Sequence, residues 1–376
     1  MNRVLVTGAE GFIGKNLRLA LGREAGTEII GVDLGTAAAV LERGLDEAEA
    51  VIHLAGVNRP EKENEFEDGN VGSLAAVLAG LERRGRRPLV VLSSSIQALL
   101  DNPYGRSKKR AEDALLDFHR RTGAAVRIFR LPGVFGKWCR PNYNSVVATF
   151  CHNIARDLPI SISDPDREID LVHVDDVVAA FLAALKAGPG PGGASFLSVT
   201  PVFRVSLGAL AGKIQAFRAV RETLAQPALD DPFDRRLFGT YVSYLPEEEF
   251  DYDLAVREDE RGALAELLKL GGHGQIFVSR TRPGVTRGNH YHDSKVEKFV
   301  VLEGEAVIRF RRLTTGEIIE YPVCGREMRV VDIPPGWTHS IENVGTAEMI
   351  VLFWASEIFD PARPDTFAAK VRNEKA

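Results

Sequence analysis

The feature that most constrains this chain is a segment rich in metal-ligand side chains, from Gly284 to Gly304. It carries His290, His292 and Glu297. The two histidines are separated by one residue, so on a β-strand they point to the same face. A later segment adds His339 after a Pro-Gly turn. Imidazoles with a carboxylate suit a borderline divalent ion such as Zn²⁺, Ni²⁺ or Fe²⁺, so the sequence predicts a metal site in a β-rich domain.

The spacing of these residues resembles the cupin signature, in which G-x5-H-x-H-x4-E-x6-G is followed by P-x-G-x2-H-x3-N. Both halves match, except that Met328 stands where the second half usually begins with glycine. The resemblance implies a cupin, that is, a jelly-roll barrel in which these residues can bind a divalent metal ion. Surface histidines on an ordinary β-sandwich, or a metal-free cupin, are the alternatives. Strands of alternating pattern support the barrel: Gln275–Arg280, Glu297–Leu302, Ala306–Arg311, Ile318–Val323, Arg329–Ile333 and Glu348–Phe353.

Length and composition limit the number of domains and the class of protein. A chain of 376 residues is long enough for two domains. A formal net charge of -5 gives no reason to expect nucleic acid or an anionic membrane as a partner. Three cysteines without a C-x-x-C pair, no secretory signal pattern and no long apolar run predict a cytoplasmic protein with no membrane span.

The chain begins with a pattern typical of dinucleotide-binding domains. A short apolar strand at 4–7 leads into Gly8, Gly11 and Gly14, and a helix is predicted from about Lys15. Such glycines let the backbone approach a pyrophosphate at the helix N-terminus. Asp33 ends the next strand, where an acid accepts hydrogen bonds from the adenosine ribose and repels a 2′-phosphate. Asp33 therefore favours NADH over NADPH, although a plain turn aspartate is the alternative.

A second motif predicts the catalytic group of this domain. Tyr104 and Lys108 are four residues apart, so they share one face of a helix. A neighbouring ammonium would lower the pKa of the phenol and make Tyr104 a general acid or base. A hydroxyl at the end of the preceding apolar strand can hold the same substrate oxygen, with Ser95 as first candidate and Ser94 as second. An exposed Tyr-Lys pair without a catalytic role is the alternative.

Together these motifs resemble the extended short-chain dehydrogenases of the nucleotide-sugar epimerase/dehydratase family. His53-Leu-Ala-Gly56, Asn70-Val71 and Leu171-Val-His-Val-Asp-Asp176 strengthen the resemblance. It implies a Rossmann-type, doubly wound parallel sheet. The gap of nine residues from Ser95 to Tyr104 predicts a compact loop over the sugar. The predicted cofactor contacts are Gly8, Gly11, Phe12, Ile13, Gly14, Asp33, Leu54, Ala55, Gly56, Asn70, Tyr104 and Lys108.

A polar loop after the strand at 126–130 is the predicted substrate-binding segment, because loops at the carboxyl ends of parallel strands form the ligand crevice. Its candidate contacts, together with Ser94, are Lys137, Arg140, Asn142 and Asn144. A solvated loop without a ligand is the alternative. A change in composition at about residue 244 predicts a dehydrogenase domain at 1–243 and a cupin domain at 244–376.

Across its whole length the chain resembles the CapF-type bifunctional enzymes of capsular polysaccharide and O-antigen synthesis. Asp101-Asn-Pro-Tyr104, Phe135-Gly-Lys-Trp-Cys139 and Pro141-Asn-Tyr-Asn-Ser145 lie outside the general motifs and carry this resemblance. It implies that the cupin domain epimerises C3 of UDP-2-acetamido-2,6-dideoxy-4-hexulose. The dehydrogenase domain then reduces the C4 ketone with NADPH to UDP-2-acetamido-2,6-dideoxy-β-L-talose, on the route to UDP-N-acetyl-L-fucosamine. The resemblance also implies a zinc ion and a homodimer.

Two points stay open at this stage. The carboxylate of Asp33 opposes the NADPH that the resemblance implies, so NADH is an equal candidate. No general base for C3 can be assigned, although Lys298 and Tyr291 are neighbours of the predicted ligands. The alternative functions are a nucleotide-sugar 4-epimerase or dehydratase that keeps its NAD bound, and a non-catalytic sensor of nucleotide sugars.

Overall fold

The computed structural model describes residues 3–60, 62–190, 193–259, 262–265, 274–357 and 361–372. The α-helices are α1 Phe12–Leu21, α2 Ala38–Glu47, α3 Asn64–Phe66, α4 Ser73–Arg83, α5 Pro103–Thr122, α6 Val146–Ile154, α7 Val174–Ala187, α8 Leu207–Thr223 and α9 Pro232–Val242. The first strands are β1 Arg3–Thr7, β2 Glu28–Val32, β3 Ala50–His53, β4 Leu89–Ser95, β5 Val126–Leu131, β6 Gly133–Phe135, β7 Glu168–His173, β8 Ala194–Leu197 and β9 Phe203–Ser206. The later strands are β10 Asp251–Asp253, β11 Val256–Asp259, β12 Gly262–Ala265, β13 Gln275–Thr281, β14 Thr286–Tyr291, β15 Glu297–Glu303, β16 Glu305–Arg312, β17 Ile318–Cys324, β18 Arg329–Ile333, β19 Trp337–Asn343, β20 Met349–Ala355 and β21 Phe367–Ala368.

The chain forms two compact units. The N-terminal unit comprises Met1–Val146 and Glu168–Val205, and the C-terminal unit comprises Val147–Arg167 and Ser206–Ala376. This division differs from the predicted boundary at residue 244, because α8 and α9 pack on the strands and loops of the barrel that follows them. A Cβ atom on Gly239 of α9, for example, would lie 2.9 Å from the backbone oxygen of Ser294.

The N-terminal unit is built on a six-stranded sheet of order β2-β1-β3-β4-β5-β8, in which all pairs are parallel. Strands buried on both faces need apolar residues throughout, and successive residues of each strand enter opposite hydrophobic clusters. One cluster contains Val4, Val6, Ile52 and Val91, and the other contains Leu5, Val51, Val90 and Leu92. The strand order reverses between β1 and β3, so a ligand crevice opens at their carboxyl ends.

The C-terminal unit contains two antiparallel five-stranded sheets, of order β10-β18-β15-β20-β13 and β17-β16-β19-β14-β21. The predicted strands are confirmed to within a residue or two at their ends. Residues of β16 alternate between buried and less buried, as two packed sheets require. This is the jelly-roll arrangement predicted from the sequence. Among the described residues, no helix has both the length and the apolarity to cross a bilayer.

The turn before β18 explains the missing glycine of the second cupin motif. Met328 has a φ of 49°, which is the left-handed conformation that favours glycine. The backbone therefore keeps the shape that the motif demands although the side chain has changed. The substitution is compatible with the barrel because single left-handed residues other than glycine are tolerated in turns at a modest cost in free energy.

A buried ionic cluster joins α8 to the outer face of the first of these sheets. Lys298 donates to Asp332 over 2.5 Å, and Arg221 donates to the other carboxylate oxygen over 2.7 Å. Burial opposes the charged form, but the Asp332 carboxylate raises the pKa of Lys298. The cations of this cluster lie over the ring of Tyr252, which packs against an apolar cluster that includes Leu254, Val300 and Val330. Lys298 therefore anchors a helix and turns away from its neighbour Glu297.

Candidate functional site

The glycine turn lies at the switch point of the parallel sheet. Gly8 has a φ of 69°, and a Cβ atom there would lie 2.7 Å from the backbone nitrogen of Ala55. The turn thus touches the segment after β3, which contains the predicted cofactor contacts Leu54 and Ala55. Helix α1 begins at Phe12 with Gly11 as its N-cap, so its first backbone N–H groups point into the crevice. This arrangement suits a pyrophosphate.

Asp33 lies just beyond β2, as predicted, but its surroundings include a cation that the sequence reasoning missed. Its carboxylate accepts a hydrogen bond of 2.7 Å from the backbone nitrogen of Glu10. Burial raises the pKa of Asp33, and Arg18 of α1 opposes this effect. Arg18 also pairs with the Glu10 side chain. The helical period could have predicted that Arg18 lies near Asp33, because Arg18 is one turn beyond Gly14 and shares its face of α1.

The predicted catalytic residues meet at the start of α5. The Tyr104 hydroxyl is hydrogen-bonded to Ser95, and the Lys108 ammonium lies 5.7 Å from the centre of the Tyr104 ring. The predicted lowering of the phenol pKa is wrong for this structure, because burial raises the pKa of Tyr104 to about 12. Burial also lowers the pKa of Lys108 to about 8. Tyr104 therefore keeps its proton at neutral pH, which suits a proton donor.

Gly56 lets the end of β3 approach the catalytic lysine. A Cβ atom on Gly56 would lie 3.2 Å from the Lys108 nitrogen and 2.6 Å from the Asn70 side-chain oxygen. The Asn70 amide donates to the Val57 carbonyl and to Ser107, each over 3.0 Å. The structure thus brings together Gly56, Asn70 and Lys108, three of the predicted cofactor contacts. It gives Asn70 the task of holding the loop after β3.

The second serine candidate has a different task. Successive residues of β4 face opposite sides, so Ser94 turns away from Ser95. The Ser94 hydroxyl donates over 2.6 Å to Glu112, which is buried and paired with Arg130. We therefore replace the predicted substrate contact of Ser94 with a structural role between β4 and α5.

Some side chains of the predicted substrate loop make contacts within the protein. Lys137 is buried and its ammonium donates over 2.9 Å to Asp175. Arg140 lies over the ring of Tyr143, with 5.0 Å between the guanidinium carbon and the ring centre. Asn142 and Asn144 are exposed. Lys137 is therefore placed to support the loop, whereas Arg140, Asn142 and Asn144 remain the proposed contacts to a ligand.

The predicted metal ligands converge inside the barrel. His290 of β14 pairs in register with His339 of β19, while Glu297 starts β15 on the opposite sheet. Ligand atoms of these three residues and His292 all lie within 4.8 Å of one another. The Glu297 carboxylate lies 3.2 Å from His292 Nε2 and 3.5 Å from His339 Nε2. Ligands about 2.1 Å from a tetrahedral ion are about 3.4 Å apart, so the donor set fits zinc.

The charges of the cluster also suit a cation. Burial alone would raise the pKa of Glu297, but the adjacent imidazoles hold it below its ordinary value. Burial, with the neighbouring histidines, lowers the pKa of His290 to about 4. His292 Nε2 and both ring nitrogens of His339 are buried and make no well-aligned hydrogen bond to any described residue. A divalent ion requires ligands in this form, with neutral imidazoles and an ionised carboxylate.

Neither residue considered as a base for C3 faces this cluster. Tyr291 points away from the histidines on either side of it and packs against Phe367, with 5.3 Å between ring centres. Lys298 is bound to Asp332 on the outer face of its sheet.

Two parts of the chain match known protein families. Residues 4–194 match the NAD dependent epimerase/dehydratase family, and residues 257–367 match the Polysaccharide biosynthesis C-terminal domain. A Pseudomonas aeruginosa protein named UDP-2-acetamido-2,6-beta-L-arabino-hexul-4-ose reductase is 44% identical over 369 residues, covering 98% of this chain and 99% of its own length.

Solved structures give the same result. The capsular polysaccharide assembling protein CapF from Staphylococcus aureus is 43% identical with a TM-score of 0.66, and the match covers 98% of this chain and 100% of that one. The UDP-glucuronic acid 4-epimerase of Bacillus cereus, solved with NAD, shares the fold of the N-terminal part at 19% identity, a TM-score of 0.51 and coverage of 57% of this chain and 82% of its own. The chain therefore belongs to the NAD-dependent epimerase/dehydratase family and, with its C-terminal polysaccharide-biosynthesis domain, to the CapF-like bifunctional proteins.

Proposed function

We propose that the protein epimerises C3 of UDP-2-acetamido-2,6-dideoxy-4-hexulose in its cupin domain and reduces the C4 ketone in its dehydrogenase domain. The product is then UDP-2-acetamido-2,6-dideoxy-β-L-talose, for capsule or O-antigen synthesis. The observation that carries the proposal is the presence of two clusters of candidate groups in one chain: Ser95, Tyr104 and Lys108 in the N-terminal unit, and four converging possible metal ligands in the barrel. We also propose that the active form is a homodimer.

The dehydrogenase site supports reduction. Bound NADH or NADPH supplies the hydride for C4. The Tyr104 hydroxyl, held by Ser95, donates its proton to the C4 oxygen, and its raised pKa keeps that proton in place until the hydride arrives. Lys108 is placed beside Gly56, where its ammonium can hold the cofactor ribose.

The cupin site supports proton transfer at C3. Removal of the C3 proton places enolate charge on the C4 oxygen, and the buried donor set is suited to hold the divalent ion that would stabilise this charge. The proton then returns from the other face of the sugar. Only the C4 ketone makes the C3 proton acidic, so epimerisation must come before reduction.

The decisive experiment uses the 4-keto UDP-sugar in D₂O with NADH and NADPH supplied separately. Falling absorbance at 340 nm and deuterium at C3 of the product are expected. Oxidation of the cofactor without deuterium at C3 would leave a simple reductase. Turnover without any net oxidation would favour the alternative, a 4-epimerase or dehydratase with bound NAD, and no turnover at all would favour a sensor.

Cofactor preference is expected to depend on Asp33. The variant Asp33→Ala should raise the ratio of kcat/KM for NADPH to that for NADH by about tenfold or more, because two anions a few ångströms apart near a protein surface repel by a few kcal/mol. The matched variant Arg18→Met removes the nearby cation and should lower the same ratio. Steady-state kinetics with both cofactors measures each change; an unchanged ratio in Asp33→Ala would refute the ribose role.

The pH profile of reduction is expected to follow Lys108. The pKa of Lys108 is lowered to about 8, so its ammonium is present below that pH and is lost as the pH rises through it. The value of kcat/KM for the reduced cofactor should therefore fall above pH of about 8. The variant Lys108→Met should be slow at every pH and lack this limb. A limb near the ordinary lysine pKa of about 10.4 would contradict the assignment.

A further inference from the structure

A segment near the C-terminus, residues 361–372, crosses the loop that carries His292. Its strand β21 pairs with β14, so Ala368 lies opposite the ligand His290. Ala369 donates a backbone hydrogen bond of 2.8 Å to the carbonyl of Asn289, and Thr338 donates one of 2.6 Å to the Ala369 carbonyl. We call this segment the C-terminal strap. It touches both strands that supply the histidines.

The side chain of Asp365 in the strap fixes the loop between β14 and β15. Its carboxylate accepts hydrogen bonds from three consecutive backbone nitrogens, those of Asp293, Ser294 and Lys295, at 2.9, 3.0 and 2.7 Å. The Ser294 hydroxyl adds a fourth bond of 3.1 Å. Bonds from several N–H groups to one charged carboxylate are stronger than neutral ones, so the middle of this loop is held firmly.

The backbone of Asp365 acts on the ligand itself. Its carbonyl oxygen lies 2.6 Å from His292 Nδ1 and, being an acceptor, requires the proton to be on that nitrogen. The lone pair of His292 is then on Nε2, which is the nitrogen 3.2 Å from Glu297. Asp365 has a φ of 38°, a left-handed conformation that a residue other than glycine adopts at some cost. The bonds of its carboxylate hold it there.

We propose that Asp365 is a positioning residue for the metal centre: its side chain locks the strap onto the β14–β15 loop, and its carbonyl thereby selects the metal-binding tautomer of His292. The inference rests on the metal site proposed above. Lys295 supports the same geometry, since its ammonium donates to the Pro364 carbonyl and the Thr366 hydroxyl over 3.1 and 3.0 Å. Partners of this kind, one step removed from a metal, commonly change metal affinity by about 10- to 100-fold.

The test measures the Kd for Zn²⁺ of the metal-free full chain by competition with a chromogenic chelator. Asp365→Ala should weaken binding by about 10- to 100-fold. Asp365→Asn should fall between, because its amide keeps one acceptor oxygen and loses the charge. Glu317→Gln, which changes an exposed carboxylate on the neighbouring β-hairpin, should bind like the wild type. Long-range ¹H–¹⁵N spectra of the metal-free protein should show the His292 proton on Nδ1 in the wild type and its partial loss in Asp365→Ala.

These outcomes distinguish a failure of the positioning role of Asp365 from a failure of the proposed metal site. If the wild type binds no zinc, the metal site fails, and the spectra still decide whether Asp365 selects the tautomer. If the wild type binds zinc and both Asp365 variants match its Kd, the positioning role is overturned. If Asp365→Ala does not fold, the comparison of Asp365→Asn with Glu317→Gln decides in the same way.

Discussion

Replacing Tyr104 with phenylalanine is expected to slow reduction of the C4 ketone by about 10²- to 10⁴-fold, the range that one general acid contributes. The variant keeps the ring, its contact with Phe66 and its place on α5, and removes only the hydroxyl that bonds to Ser95. Deuterium exchange at C3 should continue at the wild-type rate, because the cupin cluster is unchanged. Oxidation of the reduced cofactor at 340 nm and proton spectra of the sugar measure the two reactions in one sample.

A second tyrosine variant serves as the control. Tyr321→Phe also removes one phenol hydroxyl, which in the C-terminal unit donates to the backbone carbonyl of Glu247, and reduction should stay within a few-fold of the wild type. Reduction by Tyr104→Phe at a rate close to that of the wild type would mean that Ser95 or solvent protonates the C4 oxygen.

Replacing His292 with alanine is expected to remove the second activity. One of the four converging donors disappears, and with it the only described ligand whose ring is oriented by the strap. The Kd for zinc should weaken by more than about 100-fold, beyond the effect of losing an outer partner of a ligand. Exchange at C3 should fall below detection while reduction of an already epimerised sugar persists. Metal content and exchange of the C3 proton are the measurements.

Chelation offers an independent check of the same prediction. A metal-stripped wild type should lose C3 exchange and regain it on addition of Zn²⁺, whereas His292→Ala should not respond. His152→Gln, a histidine of α6 outside the cluster, should behave as the wild type. Full exchange by the stripped wild type would show that fixed hydrogen-bond donors, and no metal, stabilise the enolate.

Local patterns were enough to predict both folds and the main groups of residues that meet at the two candidate sites. The glycine turn, the Tyr104–Lys108 pair and the H-x-H segment each occupy a few consecutive residues whose geometry follows from strand or helix period. The fold class, the strands of the barrel and the meeting of His290, His292, Glu297 and His339 were all predictable in this way.

Contacts between distant segments were beyond these patterns. The bond from Asp365 to the loop of His292 joins residues about 70 positions apart, and no periodicity links them. The pKa of Tyr104 depends on how deeply the whole unit buries it, which the spacing to Lys108 does not reveal. The alternation of β4 is enough to predict that Ser94 faces away from Ser95, but Glu112 as the partner of Ser94 became visible only in three dimensions.

The ionic cluster beneath β15 bears on how this cupin can be moved between proteins. Strand β15 carries Glu297 toward the ligands and Lys298 toward Asp332, and Arg221 of α8 completes the second group. A fragment starting at residue 244 would lack Arg221 and Leu224, so the apolar cluster around Val300 and Val330 would lose one member and a carboxylate oxygen of Asp332 would lose its guanidinium partner. A fragment that contains the barrel is therefore expected to need α8 as well, and α8 belongs to the same compact unit as the barrel.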